Sequence, residues 1–93
     1  MNGPGFKFAE AAHMDIAFTD YFENQVLRKR PYIKKEWCIE AITNPLRSEK
    51  QADGRTRYWT YVKELAKYLR VVVLEDGSAI HNAFPDRNFK ELL

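Results

Sequence analysis

The sequence is short of the residues that most often announce chemistry. It has one cysteine, Cys38, in 93 residues, which excludes an intrachain disulfide and a multi-cysteine metal centre and fits a reducing compartment. It has two histidines, His13 and His81, and neither has a His or Cys partner at ligand spacing, so no metal is expected. Its four glycines form neither a Gly-x-Gly-x-x-Gly fingerprint nor a phosphate loop, so no nucleotide cofactor is expected. There is no serine elbow, and no pair of carboxylates stands out for hydrolysis. No apolar run approaches the roughly 20 residues that span a bilayer. The start lacks a basic region followed by an apolar one, so no signal peptide is read and the cytoplasm is the expected compartment. A net charge of +2 does not by itself argue for nucleic acid.

What is present suits one small soluble domain. Hydrophobic residues make up 45% and charged residues 30% of the chain, enough to bury a modest core. Residues 1–13, with Asn2-Gly3-Pro4-Gly5 and His13-Met14, read as a flexible leader, either vector-derived or a native arm, and residues 14–93 as a single domain. A first helix is expected from Thr19-Asp20. Thr19 can cap it, Asp20 and Glu23 suit its positive end, and Phe18, Phe22 and Val26 mark one face. Arg28-Lys29-Arg30 sit at its C-terminal end, either complementing the helix dipole or forming a phosphate-contacting corner, and Pro31 stops it. A second helix is expected over Lys35–Thr43, with Trp37, Cys38, Ala41 and Ile42 as its stripe and Asn44-Pro45 as its end. Cys38 on that stripe reads as a small buried hydrophobe rather than a nucleophile.

The period then changes to two. A polar edge strand is expected over 46–52, an Asp53-Gly54 turn, and a strand over 55–62. The strand places Thr56, Tyr58, Thr60 and Val62 on one side and Arg57, Trp59 and Tyr61 on the other. Lys63 to Lys67 form a turn. Leu69 to Leu74 is almost continuously apolar and suits a strand buried on both faces. Asp76-Gly77 marks another hairpin, and the last strand alternates Ile80, Asn82, Phe84 with Ala79, His81, Ala83 before Pro85. If Ile80 and Phe84 face the core, His81 stands uncovered between two alanines. Asn88–Leu93 reads as a short helical end carrying Phe89 and Leu92. The fold class is therefore α+β, with two N-terminal helices packed on one face of a four-stranded antiparallel sheet.

The chemistry left to such a chain is basic and aromatic. Arg55, Arg57, Trp59 and Tyr61, then Lys67, Tyr68 and Arg70, then His81 and Arg87 fall on adjacent strands. Arginines pair with phosphate oxygens, aromatics stack on unpaired bases, and a histidine moves a proton near neutral pH. RNA can be cut without a metal when its 2′-hydroxyl is the nucleophile. A base, an acid and a cation for the phosphorane then suffice. His81 is the candidate acid/base group, with Arg70 or Arg87 beside it. Arg57 and Arg70 are expected on phosphate. Tyr58, Trp59 or Tyr61 are expected to stack on a base, with Arg55, Lys67 and Arg87 as further substrate contacts.

The order of elements and several motifs resemble the RelE/ParE superfamily of small bacterial toxins, and more closely its small RelE-like domains of unknown function. The motifs are Arg30-Pro31-Tyr32-Ile33, Asn44-Pro45-Leu46-Arg47, Asp53-Gly54-Arg55-Thr56-Arg57-Tyr58-Trp59, Leu69-Arg70-Val71-Val72-Val73 and Ile80-His81-Asn82-Ala83-Phe84-Pro85-Asp86-Arg87, spread over about residues 18–90. The resemblance implies a RelE-like fold and a toxin of a toxin–antitoxin system. It implies metal-independent endoribonuclease action on mRNA, in some relatives on the ribosome, and a cognate antitoxin protein that covers the site. It would make His81 the late-strand acid/base group and Arg57 and Arg70 the phosphate-binding arginines. Other superfamily members poison gyrase. The alternative expectation is a non-catalytic module of the same fold whose open sheet face docks a protein partner or a second copy.

Overall fold

The computed structural model describes residues 16–91; the leader over 1–13 lies outside them. Strand β1, Ala17–Phe18, opens the chain. Thr19 follows and caps helix α1, its Oγ1 accepting the Phe22 N–H at 3.0 Å. Helix α1 starts with α-helical Asp20 and Tyr21, is π-helical over Phe22–Val26, and ends in an α-helical turn, Leu27–Lys29. The wide turn sets Phe22 and Val26 on the inner face, 0% and 1% exposed. Pro31 forbids continuation, and Ile33 plugs the junction with the second helix. Helix α2, Lys35–Thr43, keeps the expected bounds. Cys38 and Ala41 are buried, while Trp37 and Ile42 pack against the core from its margins.

Four strands follow: β2 Arg47–Lys50, β3 Thr56–Val62, β4 Lys67–Val73 and β5 Ala79–Pro85. The sheet has five strands rather than four, in the order β1-β5-β4-β3-β2. The addition is β1, parallel to β5 through Ala17 opposite Ala79 and Phe18 opposite Ile80. All other pairs are antiparallel. Both Asp-Gly pairs turn hairpins as expected. Gly54 and Gly77 take φ of 91° and 74°, and Asp53 and Asp76 each accept the backbone N–H two residues on, at 3.0 Å.

The central strand β4 is buried on both faces: Leu69, Val71 and Val73 point to the helices and Val72 to the other side. Helix α2 lies over β3 and β4, and α1 over β5. Phe22, Val26, Leu69, Val71 and Ile80 are the largest fully buried apolar side chains, each worth about 1.5–3 kcal/mol of transfer free energy.

Two expectations for the last third are corrected. In β5, Val72 pairs with Asn82 but Val73 with Ile80, so His81 is an extra, bulged residue. The bulge reverses the alternation. Ile80 and Ala83 both reach the core, and Phe84 faces the side away from the helices, beside Arg70. The tail is not helical over 88–91. It folds back instead, and Phe89 docks on Trp59, the ring centroids 4.9 Å apart and the planes 19° apart.

Candidate functional site

The helix-free face of the sheet carries Arg57, Trp59 and Tyr61 from β3, as their parity requires, with Tyr68 and Arg70 from β4 and Phe84 from β5. Its centre is the Trp59 indole. The guanidinium carbons of Arg47, Arg57 and Arg70 lie 5.1, 5.5 and 5.5 Å from that ring, within cation–π range. The indole is 2% exposed, and Phe89 covers one side of it. A base would reach this ring only by displacing Phe89. The expectation of Trp59 as an open stacking platform is therefore corrected.

Acids hold these arginines. Glu49 stands directly across the ladder from Arg57, and its Oε1 accepts from Arg57 Nε at 3.2 Å and Nη2 at 2.9 Å. Arg47 Nε lies 3.1 Å from Glu49 Oε2, an ion pair by distance in which the buried Nε–H makes no hydrogen bond among the described residues. Asp86, 6% exposed, accepts three bonds on Oδ2: from Trp59 Nε1 at 3.0 Å and from Arg70 Nε and Nη2 at 3.1 and 2.9 Å. Its Oδ1 accepts the Asn88 N–H at 3.0 Å. Burial alone would raise the Asp86 pKa. The Trp59 indole, then Arg70 and the Asn88 N–H, outweigh it and hold the carboxyl below its ordinary value.

Tyr58 sits on the opposite side of β3, half-buried against the core beneath the helices, away from Arg57 and Arg70. Tyr61 is 49% exposed and meets Tyr68 edge-on at 5.1 Å. Arg55 belongs to the hairpin end of the sheet, within 3.9 Å of Asp53 and 3.7 Å of Glu75.

His81 is not the uncovered group that its alanine neighbours suggest. Its Nδ1 lies 3.0 Å from Thr19 Oγ1, and its ring stacks on Tyr21 at 4.7 Å. The bulge turns it towards the β1–α1 edge, where Thr19 and Tyr21 wait. Burial, and then the charge of Arg55, lower its pKa from the ordinary 6.5 against an opposing pull from Glu75. Arg70, in contrast, pairs across the ladder with Phe84. Three residue steps along the strand separate Phe84 from His81, roughly 10 Å. No hydrogen bond or ring contact joins His81 to Arg70 among the described residues.

At the end of the sheet where β5 meets the α1–α2 junction, the chain builds a notch of about 330 Å³ from Arg30, Tyr32, Lys67, Phe84, Pro85 and Arg87. Phe84 opens it to the helix-free face, while Lys67 and Pro85, opposite Val62 and Leu69, belong to the helix side. Lys67 and Arg87 are expected substrate contacts. Arg30 comes from the basic run before Pro31 that the sequence offers as a phosphate-contacting corner, and Tyr32, beyond Pro31 in the α1–α2 junction, is an addition to the expected contacts. Arg30 lies 5.7 Å and Arg70 5.0 Å from the Phe84 ring, so the notch continues the Arg57–Trp59–Arg70 strip. Arg30, Lys67 and Arg87 have no carboxylate within 4.0 Å among the described residues, whereas Arg47, Arg55, Arg57 and Arg70 all do.

Cys38 is fully buried and its thiol is pushed up to about 12 by that burial, so it is an apolar filler. No cluster of three or more metal-ligating side chains occurs among the described residues, and no described helix is long and apolar enough to cross a membrane. Compared with known proteins, the chain matches no family model, no curated protein and no solved structure at a significant level.

Proposed function

We propose that this chain binds single-stranded RNA along its helix-free face, with the notch as the principal grip. The observation that carries this reading is the notch: three cations without acid partners among the described residues line one hollow with two aromatic rings. Like charges gathered in one hollow repel each other. An anion stabilises them, and a ring beside that anion suits a nucleotide better than a carboxylate, because a base offers a π-face to stack. Fluorescence anisotropy with a labelled single-stranded RNA tests it. Three phosphate contacts predict that log K falls with log salt at a slope of about −2, and each of Arg30→Ala, Lys67→Ala and Arg87→Ala should flatten the slope by about 0.7. Absence of binding at about 50 mM salt would reject the reading.

A second reading adds cleavage, as the resemblance to RelE/ParE toxins implies, and with it a cognate antitoxin that covers the face. One observation favours it. With Nδ1 anchored on Thr19, His81 keeps Nε2 without a protein partner among the described residues, and a half-exposed imidazole with a lowered pKa is neutral and able to take a proton. Cleavage of RNA by the wild type and its loss in His81→Ala, with RNA affinity retained, is the expected pair of results. Equal cleavage by both proteins rules His81 out.

A further inference from the structure

Building on the RNA-binding reading, we infer that the notch takes a terminal phosphate, the phosphomonoester end of an RNA or of a nucleoside monophosphate, rather than a phosphodiester within a strand. Charge is the first reason. A diester brings one negative charge, whereas a monoester carries about −1.5 to −2 near neutral pH. Arg30, Lys67 and Arg87 bring three positive charges to one hollow of about 330 Å³, without a described carboxylate in reach. Three cations around a diester leave two uncompensated, and a dianion nearly balances them.

Chemistry of the donors is the second reason. Two guanidinium forks grip a phosphate through paired N–H groups, and the lysine adds a point charge. A monoester presents three terminal oxygens for these donors, one more than a diester. Place is the third reason. The cationic strip runs from Arg57 through Arg70 to Phe84, and there Arg30 leads it over the end of the sheet, where the α1–α2 junction and the turn at Arg87–Asn88 close it off. A strand lying along the strip ends in the notch. Tyr32, 46% exposed, stands at the mouth with a ring available to the terminal base.

The experiment compares one oligoribonucleotide sequence in three forms, 5′-phosphorylated, 3′-phosphorylated and unphosphorylated, by anisotropy at one salt concentration. At least one phosphorylated form should bind about tenfold more tightly than the unphosphorylated one. Arg30→Ala, Lys67→Ala and Arg87→Ala should each shrink that ratio towards one, and circular dichroism confirms that these surface variants fold. Arg57→Ala, outside the notch and held by Glu49, should leave the ratio standing. Adenosine monophosphate is added as a competitor. Displacement by it at concentrations matching the phosphorylated RNA makes a free nucleotide the ligand, and weaker displacement makes it an RNA end; either supports the phosphomonoester site. If all three RNAs bind within twofold of each other, the terminal-phosphate inference is overturned while RNA binding stands. If none binds and adenosine monophosphate does not bind directly, both readings fall.

Discussion

Replacing Asp86 by Asn should cost this protein more stability than any other single isosteric change on the helix-free face. The carboxylate is 6% exposed and receives four hydrogen bonds, three on Oδ2 and one on Oδ1. An amide offers one oxygen and one N–H2. Whichever way it turns, a donor meets a donor: the Trp59 and Arg70 N–H groups in one orientation, the Asn88 N–H in the other. The substitution also leaves Arg70, whose side chain is 25% exposed, without its counter-charge. Breaking a fully buried pair costs about 3–5 kcal/mol. Water reaches part of the Arg70 guanidinium, so the expected loss is smaller, about 2 kcal/mol, or roughly 8–16 °C in Tm for a domain of this size. Urea titration followed by far-ultraviolet circular dichroism reads it directly. The pH dependence sharpens the test. Because the folded pKa of Asp86 is lowered, its contribution is complete above the unfolded carboxyl value near 3.9 and is lost as the pH falls through the folded value. The gap between wild type and variant should be constant over about pH 5–7 and close below about pH 4. A loss under about 0.5 kcal/mol, or a gap that persists in acid, would refute the claim that this carboxylate ties the Trp59–Arg70 cluster together.

Three further outcomes follow from the same structure. His81 has a lowered pKa in the folded protein, so its contribution is complete above about pH 6.5 and is lost as the pH falls through the folded value; His81→Asn should flatten the stability slope below about pH 6.5, and unchanged slopes would contradict this. Cys38, with its thiol pushed up to about 12, should resist a thiol reagent until denaturant unfolds the chain, and rapid labelling of the native protein would contradict its burial. Gly54→Ala and Gly77→Ala should each cost about 1–2 kcal/mol because both sites have positive φ, with Gly54→Ala the worse in thermal unfolding, since its new Cβ would lie 3.3 Å from the Glu75 Cβ while that of Gly77 meets nothing.

Helix α2 is legible residue for residue because its stripe is clean and Pro45 ends it, and α1 is legible from the Thr19 cap to Pro31. The Asp-Gly hairpins and the buried β4 are legible for the same kind of reason: each rests on local chemistry that no distant contact overrides. Strand β1 escapes because two residues carry no period, and its partner lies 62 positions away. The bulge at His81 escapes because alternation assumes one residue per rung. One extra residue is enough to swap Phe84 for Ala83 in the core and to turn His81 towards Thr19. The site divides in the same way. That Arg57, Trp59 and Tyr61 share a face is a matter of parity. That Glu49 and Asp86 hold the arginines depends on ladder register and on the fold-back of a tail that reads as helical.

This division of the cations bears on what the face can bind. Arg47, Arg57 and Arg70 are committed to acids and to Trp59, so their loss should register first in stability. Arg30, Lys67 and Arg87 have no such commitments among the described residues and should register first in binding. The adjoining edge of β5 supports a ligand gripped by side chains rather than by backbone. The Asp86 N–H bonds Tyr68 O on β4, so by alternation the N–H groups of residues 83 and 85 point outward. The Ala83 N–H is taken by Asn82 Oδ1 at 2.8 Å, and Pro85 has none. An added strand would find no free donor there, which is how natural sheets close an edge. With backbone recognition closed beside the notch, what remains open is a cluster of guanidinium and ammonium donors flanked by rings, and phosphate with a neighbouring base is the chemistry that matches it.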